Sequence, residues 1–414
     1  MFDPQPLGEA VAHHTGGGTP SRQVPSFWGG GIPWASVKDF VEDAQQISST
    51  QETISQKGLN ASASNLIPAG TPLVCTRMAV GRSAMTTVPM AINQDVKALY
   101  PATGFTPEYL LALLQYTQRF AEAQSVGSTV KGIRIQDYLA IAVPQAPTVE
   151  QPKISEVLAT INKVIHQTEA IVEKLKQVKQ GLLHDLLTRG VEANGELRPR
   201  YEDAPELYQE SPVGWVPKDW EIALLVSKIS FPEGQVDPRQ TPYRDWTLVA
   251  PDHIESQTGR LIAKASAADQ NAVSGKYVFA LNDVIYSKIR PYLRKAVLAN
   301  SFGLCSADMY PLRPNDGIAP RFLLAVILGH VYSRFAESVS MRSGFPKINR
   351  NEMSEFSMGW PTGDEQKLIA DLVEQADRKQ ELEEAELHKL RQLKAALLDD
   401  LLTGCVRVTP LLSQ

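Results

Sequence analysis

The side chains most able to do chemistry lie together in one basic segment of the second half of the chain. This segment, Tyr286-Ser287-Lys288-Ile289-Arg290-Pro291-Tyr292-Leu293-Arg294-Lys295, holds four basic groups and two tyrosines. Lysine and arginine neutralise phosphates, and the planar fork of arginine can also pair with guanine edges in the major groove. The pattern indicates an extended arm or strand end that contacts DNA, although a solvated strand face would carry the same charges. The candidate contacts are Tyr286, Lys288, Arg290, Tyr292, Arg294 and Lys295, with Arg244, Arg342 and Lys347 from the same basic block.

The first part of the chain carries a thinner set of polar and basic candidates in glycine-rich loops. Such loops carry function when a rigid scaffold holds them. Trp28 and Trp34 in the same region are typical of loop anchors more than of base-stacking platforms. The candidate DNA contacts here are Thr19, Ser21, Arg22, Lys38, Arg77, Arg82, Lys131 and Arg134.

The motifs of catalysis and metal binding are missing from the sequence. Gly275-Lys276 does not complete a phosphate-binding loop, because position 270 is Gln270 and not glycine. The N/D-P-P-Y/F signature of amino-methyltransferases, paired CxxC cysteines and HExxH are also absent. His13-His14 could ligate a metal, but adjacent histidines beside a glycine loop are more typical of a polar strand end. We therefore predict a binding protein, with no catalytic residues and no metal site, and not an enzyme.

A stretch of sequence that occurs twice in the chain is the element expected to position these candidate DNA contacts. Residues 150–191 and 365–406 agree at 16 of 42 positions without a gap, and each copy ends in the motif LLxDLLT. Apolar residues recur every seven positions in the first copy, and a third apolar position per heptad widens the stripe, which indicates a long helix with more than one neighbour. We predict that the two helices pack on each other and run antiparallel. The candidate partner-binding residues on them are Leu175, Leu182, Leu186, Leu390, Leu397 and Leu401.

Composition is that of an ordinary globular protein. The 414 residues are 43% hydrophobic and 21% charged, with a net charge of −5. Residues 221–361 carry 16 basic and 13 acidic groups and form the only clearly positive block, which suits localised nucleic-acid contact. The start of the chain has no secretory signal, and the apolar runs are too short to span a bilayer. Three scattered cysteines indicate buried thiols in a reducing cytoplasm.

The order of elements predicts a repeated plan. We expect a mixed domain in residues 1–148, a helix in 149–191, an acidic surface linker in 192–220, a second mixed domain in 221–361, a second helix in 362–406 and a tail in 407–414. We align Asp283–Tyr286 of the second domain with Leu73–Thr76 of the first, and Met309–Pro311 with Leu99–Pro101. Phe345–Ile348 is likewise aligned with Thr129–Ile133. The fold class is α+β, with two mixed α/β domains separated by an antiparallel coiled-coil spacer and an internal pseudo-twofold repeat.

Taken in order, these features resemble the DNA-specificity subunit of type I restriction–modification enzymes. The resemblance rests on the duplicated LLxDLLT helix, the run from Gly18-Thr19-Pro20-Ser21 to Lys38-Asp39 that includes Gly30-Gly31-Ile32-Pro33-Trp34, and the basic segment. It implies two target-recognition domains, each reading one half of a split, asymmetric site in double-stranded DNA. It also implies two methyltransferase subunits docked on the helices, with restriction subunits in the same complex. S-adenosylmethionine, ATP and Mg²⁺ would then be bound by those partners and not by this chain.

The helices would then set the distance between the half-sites. Residues 153–188 as one helix would extend about 54 Å, and one turn of B-DNA is about 34 Å. The second domain lacks the GTPS/GGIPW motif and the first lacks the basic segment, so we expect the two half-sites to differ. A non-catalytic protein–protein adaptor with a helical spacer is the alternative function.

Overall fold

The computed structural model describes residues 1–41, 45–127, 130–340 and 345–412. The chain divides into two compact units, one formed by residues 1–170 with 384–414 and the other by residues 171–383. Each unit contains one mixed domain and about half of each of two long helices. The predicted domain limits, 1–148 and 221–361, leave out these helical portions.

The first domain is built from short strands arranged in two main sheets. Its strands are β1 Pro4–Pro6, β2 Val11–Gly16, β3 Trp28–Ala35, β4 Gln46–Ile47, β5 Thr53–Ile54, β6 Leu66–Ile67, β7 Pro72–Cys75, β8 Ser83–Thr86, β9 Met90–Ile92, β10 Val96–Pro101 and β11 Ala142–Pro144, and its helices are α1 Gln56–Asn60, α2 Pro107–Gln124 and α3 Ile135–Leu139. One sheet has the order β2-β10-β7-β8-β4 and the other β5-β3-β9-β6, while β1 pairs with β11.

Alternating side chains along β7 show how this domain is packed. Leu73 and Cys75 belong to a cluster that includes Met90 of the second sheet, whereas Val74 belongs to a cluster with α2. Successive residues of a strand point to opposite faces, so a strand covered on both faces is apolar throughout. Helix α2 begins at Pro107, and Thr106 caps it by accepting a hydrogen bond from the Tyr109 amide at 3.2 Å.

The second domain repeats this plan with fewer strands. After helix α4 Gln151–Thr188, the strands are β12 Tyr208–Ser211, β13 Gly214–Pro217, β14 Glu221–Leu224, β15 Ile229–Ser230, β16 Leu248–Val249, β17 Tyr277–Phe279, β18 Val284–Ser287, β19 Ala296–Leu298, β20 Gly303–Cys305, β21 Met309–Pro314 and β22 Ser357–Trp360, and the helices are α5 Leu225–Lys228, α6 Pro320–Leu328, α7 His330–Ser340, α8 Arg350–Met353 and α9 Gly363–Thr403. The sheet β15-β21-β18-β19 corresponds to β2-β10-β7-β8, and β16-β20-β17 corresponds to β3-β9-β6. In both smaller sheets the first pair is parallel and the second antiparallel.

The linker predicted for residues 192–220 lies on the second unit as a folded segment. It contains the hairpin β12–β13, and Tyr201 stacks on Trp215 with ring centroids 4.2 Å apart. Trp220 is buried in the core of the second domain.

Within the described residues, no single helix is long and apolar enough to cross a membrane. The helices α6 and α7, bent by 56° relative to each other, would together reach the length and apolarity of a membrane span.

The two long helices are antiparallel within each unit. In the first unit, Ile154 and Leu158 near the start of α4 share a core with Leu401 and Leu402 at the end of α9. In the second unit the end of α4, with Leu186, shares a core with the start of α9. The LLxDLLT end of each long helix therefore packs on the domain that precedes the other helix, and the predicted antiparallel direction is confirmed within each unit. Leu186 and Leu401 lie in these cores, so their assignment as partner contacts is wrong for side chains that the fold itself covers.

The exposed apolar residues of α4 occupy a different heptad position from the residues that it buries in the two cores. Val164, Ile171 and Val178 are 38%, 47% and 52% exposed and lie seven residues apart, which places them on one face of the helix. The other predicted partner contacts, Leu175, Leu182, Leu390 and Leu397, are half-buried. The exposed stripe is the third apolar position of each heptad, from which the sequence predicts a further neighbour for this helix; in the structure these three side chains are exposed.

Each long helix begins with a buried glutamate held by an arginine. Glu150 precedes α4 and is 1% exposed, and it accepts hydrogen bonds from Arg407, which follows the end of α9. Glu365, in the first turn of α9, is paired in the same way with Arg198, which follows the end of α4. The two glutamates occupy the same position of the sequence repeat. Each unit therefore joins the start of one helix to the chain that follows the other.

We expect the stability of the first unit to fall in acid because of Glu150. The hydrogen bond from Arg407, followed by the charge of Arg407, holds the pKa of Glu150 below its ordinary value of 4.5. A lowered folded-state pKa contributes stability above the ordinary pKa and loses it as the pH falls through the folded value. Glu150→Gln should therefore melt at a lower temperature than the wild type near about pH 7, and this difference should shrink below about pH 4.5. Parallel melting curves at all pH values would contradict the prediction.

Candidate nucleic-acid interface

The predicted basic segment forms the loop between β18 and β19. The Ser287 amide donates to the Lys295 carbonyl at 2.9 Å and closes the base of the loop. Pro291–Leu293 form a 3-10 turn, flanked by Arg290 and Arg294. Both arginines have left-handed backbones, with φ of 48° and 46°. The sequence predicted an extended arm or a strand end; the segment is the end of β18 followed by a compact turn.

Four of the predicted contacts in this loop face inward. Tyr286 is 1% exposed and meets Tyr332 edge to face at 5.6 Å, and burial raises the pKa of its hydroxyl. Its assignment as a DNA contact is wrong, because its strand is covered on both faces. Arg294 is half-buried and lies 3.4 Å from the Leu328 carbonyl, and Lys295 donates to the Pro251 carbonyl at 2.7 Å. These two cations fasten the loop to the domain.

Lys288 is the fourth inward-facing residue. It is 7% exposed, and its amine lies 4.6 Å from the ring centroid of Tyr310. Burial lowers the pKa of its ammonium, and the nearby charges of Lys347 and Arg350 lower it further, although Asp308 opposes them. Lys288 therefore contributes to a local concentration of positive charge from beneath the surface.

The exposed members of the segment are Arg290 and Tyr292, joined by Lys347 from a second segment. The Arg290 amide donates to the Pro346 carbonyl at 2.8 Å, and the Ile348 amide donates to the Lys288 carbonyl at 2.9 Å. These bonds hold the 346–348 segment beside the loop tip. Arg342 lies outside the described residues. Arg244 is exposed near the start of β16, 3.6 Å from Asp245, and is not part of this cluster.

Arg350 is a member of this surface that sequence reasoning missed. Its guanidinium carbon lies 4.7 Å, 5.3 Å and 5.8 Å from the ring centroids of Phe231, Tyr310 and Tyr277. Aromatic rings orient an arginine without neutralising it. With Lys347 and Lys288 close by, the arrangement can attract phosphate oxygens. No local pattern could reveal it, because its parts come from four distant segments.

The first domain has the same loop in the same place, between β7 and β8. The Cys75 amide donates to the Arg82 carbonyl at 2.8 Å, and the Met78 amide donates to the Lys131 carbonyl at 2.9 Å. Arg77 is exposed, with its guanidinium 3.5 Å from Asp95. Lys131 and Arg134 are also exposed. Arg77 pairs through its backbone with Gly132, between Lys131 and Arg134, so these three cations lie near one another beside the loop.

Two first-domain candidates have structural partners. The Arg82 guanidinium donates to the Phe40 carbonyl at 3.1 Å and so connects the base of the loop to the segment that follows β3. Arg22 pairs with Glu52, with one nitrogen–oxygen distance of 2.8 Å, and its guanidinium stacks on the Trp28 ring at 3.7 Å. The hydrogen bond from Arg22 lowers the pKa of Glu52. Arg22 is exposed but already engaged.

The glycine-rich loop is held by its tryptophans, as predicted. Trp28 donates to the Ser21 carbonyl at 3.1 Å and Trp34 donates to the Gly18 carbonyl at 3.0 Å. A Cβ at Gly17 would lie 1.8 Å from the Ile92 carbonyl oxygen, so only glycine fits this close approach. Three further candidates are exposed on this loop system: Thr19, Ser21 and Lys38.

The second domain has a counterpart of the GGIPW segment that its sequence does not show. In the first domain the Ser36 amide donates to the Asp39 carboxylate at 2.8 Å across a 3-10 turn. In the second, the Ala250 amide donates to His253 Nδ1 at 3.2 Å across the equivalent turn. The motif letters differ, but the backbone element after β3 and after β16 is the same.

The described residues hold no group of three or more His, Cys, Asp or Glu side chains that could bind a metal. Cys75 and Cys305 are buried, and burial raises the pKa of both thiols, while Cys405 is exposed. The cysteines therefore agree with the expected buried thiols at two of three positions.

Comparison with known proteins identifies relatives along most of the chain. The family described as "Type I restriction modification DNA specificity domain" matches residues 7–177 and 262–392. The type I restriction enzyme EcoDI specificity subunit of Escherichia coli is 30% identical over 287 residues, which cover 65% of this chain and 62% of that protein. The MjaIX specificity subunit of Methanocaldococcus jannaschii is 25% identical, over 56% of this chain and 53% of that protein. The chain thus aligns with less than two thirds of each of these relatives.

Two solved structures share the fold. The crystal structure of the type I restriction–modification S subunit from M. genitalium has a TM-score of 0.55 and 13% identity, covering 96% of this chain and 95% of the other. A chain from a study of complex assembly and conformational transition of the type I R-M system has a TM-score of 0.56 and 15% identity, covering 96% of each chain. These similarities confirm the predicted fold class of two mixed domains with long helices.

Proposed function

Because this chain belongs to the family of type I restriction–modification DNA specificity proteins, we propose that it recognises a split, asymmetric target in double-stranded DNA. Each domain reads one half-site. The long helices set the spacing between the halves. The chain performs no catalysis and directs the partner subunits that do.

The observation that carries this proposal is the pair of equivalent loops. The loop between β7 and β8 and the loop between β18 and β19 are closed by matching backbone hydrogen bonds, and both present cations to solvent. Phosphate contacts position a protein on DNA, while side chains at base edges specify sequence. The loops share their backbone but differ in side chains, which supports two different half-sites.

The helices support docking of partner subunits. The exposed stripe of Val164, Ile171 and Val178 is the kind of apolar surface that another helix covers. We propose that two methyltransferase subunits dock on the helical regions and that restriction subunits join them in the cytoplasm. S-adenosylmethionine, ATP and Mg²⁺ belong to those partners in this proposal.

A map of methylated adenines tests the function. When the chain is expressed with its methyltransferase partner, we expect methylation at one two-part site whose halves differ in sequence. Deleting the gene for this chain should abolish that methylation while the methyltransferase is still produced. Methylation at the same sites without this chain would contradict the proposal.

A salt titration separates DNA recognition from the adaptor alternative. The logarithm of the DNA-binding constant should fall with the logarithm of salt concentration, with a slope of about −0.9 per phosphate contacted. An adaptor that grips only proteins would show no binding to duplex DNA beyond that of its partners alone. The control is the partner assembly without this chain.

A further inference from the structure

The tips of the two equivalent loops hold one residue each in the same unusual backbone state. The Met78 amide donates to the Lys131 carbonyl at 2.9 Å, and the Arg290 amide donates to the Pro346 carbonyl at 2.8 Å. The Ile133 amide bonds to the Thr76 carbonyl as the Ile348 amide bonds to the Lys288 carbonyl, both at 2.9 Å. Met78 and Arg290 are thus the same position of the repeated fold.

Both residues have a left-handed backbone, with φ of 63° at Met78 and 48° at Arg290. Residues other than glycine rarely adopt these backbone angles, and strained positions of this kind cluster at functional sites. Met78 is 64% exposed and Arg290 is exposed as well, so neither side chain is needed to fill the core. The chain keeps a strained side chain at each tip although glycine would fit the backbone better.

The surroundings give the two tips different chemistry. Arg290 makes no ion pair within the described part of the chain, and its guanidinium lies 5.4 Å from the exposed ring of Phe345. Among the described residues, no acceptor engages its guanidinium nitrogens, which can donate to a ligand. In the first domain, the segment that bonds to the loop carries two exposed apolar side chains, Val126 (77%) and Val130 (45%), beside the exposed Lys131. Cations flank both tips.

We propose that Met78 and Arg290 are paired specificity-determining residues, one for each half-site. Arg290 donates two hydrogen bonds to the O6 and N7 acceptors of a guanine, and Met78 packs against the methyl group of a thymine, both in the major groove. This inference rests on the proposed function, because it names the base classes that the two domains read. The common backbone places one side chain per half-site, and the side chain decides the base.

Glycine substitutions test the proposal without a cost in folding. Met78→Gly and Arg290→Gly remove each side chain at a φ that glycine adopts freely. Each variant is assembled with the methyltransferase partner, and methylated adenines are mapped. Arg290→Gly should relax one G·C position in one half-site and lower discrimination there about tenfold to a hundredfold. Met78→Gly should relax one A·T position in the other half-site by about fourfold, the value of one methyl group.

Two controls accompany these variants. Asn282→Gly changes another exposed left-handed residue (φ 71°), at the opposite end of β18, and should leave both half-sites unchanged. Arg290→Lys keeps the charge but not the planar fork, so it should relax the same position as Arg290→Gly. The inference would be overturned if both glycine variants kept both half-sites unchanged, or if both relaxed positions in the same half-site. It would also be overturned if methylation became uniformly weaker with no relaxed position. If the wild-type chain directs no two-part methylation, the proposed function fails instead.

Discussion

Replacing Glu365 with alanine is expected to lower the free energy of unfolding of the second unit by about 3–5 kcal/mol. Glu365 is 7% exposed and accepts from Arg198 at 3.1 Å, from the Val191 amide at 2.9 Å and from Trp220 Nε1 at 3.1 Å. Alanine would leave a largely buried guanidinium and two buried N–H groups without this acceptor. Arg198 would keep only the more exposed carboxylate of Asp219, 2.9 Å away, and buried N–H groups without an acceptor are strongly destabilising.

Urea unfolding followed by tryptophan fluorescence measures this loss, because Trp220 contacts the carboxylate directly. The matched control is Asp364→Ala, one residue earlier in the same helical turn, where the side chain is 95% exposed. The control should unfold close to the wild type. If Glu365→Ala unfolded at the same urea concentration as Asp364→Ala, the buried ion pair would not hold the start of α9.

Inserting seven residues into both long helices is expected to lengthen the gap between the two half-sites by about three base pairs. Seven residues add about 10 Å of helix, and base pairs are spaced about 3.4 Å apart. The insertions belong in residues 160–180 of α4 and, in α9, between Asp377 and Arg391, which pair with Lys179 and Glu169. A step of seven nearly preserves the packed face of each helix.

A map of methylated adenines again provides the measurement. The two half-sites should be unchanged and only the number of bases between them should grow. The control insertion lies at the exposed turn of Asn194 and Gly195, where extra residues lengthen a surface loop without altering a helix. Altered half-sites with an unchanged gap would show that the helices do not set the spacing.

The strand registers between the two domains were where sequence comparison failed. The sequence aligned Asp283–Tyr286 with Leu73–Thr76, but the hydrogen bonds match Ser287 with Cys75, a shift of two residues. The strands β7 and β18 are buried on both faces, so a shift of two preserves every apolar position and leaves no trace in the pattern. Pairing Met309–Pro311 with Leu99–Pro101 was also wrong, by three residues. Met309 pairs with Ser287 as Val96 pairs with Cys75, which matches Pro314 with Pro101.

The sequence by itself determined the duplication, the two long helices and the places where the candidate loops lie. A seven-residue apolar period needs no knowledge of distant contacts, and α4 and α9 begin and end within a few residues of the predicted limits. Only the tertiary structure decided which charges face solvent. Lys288, Arg294 and Lys295 turn inward while Arg290 stays exposed, and Arg350 joins the surface through three rings from elsewhere in the chain. Exposure depends on neighbours that are remote in sequence, and no local pattern of residue types encodes them.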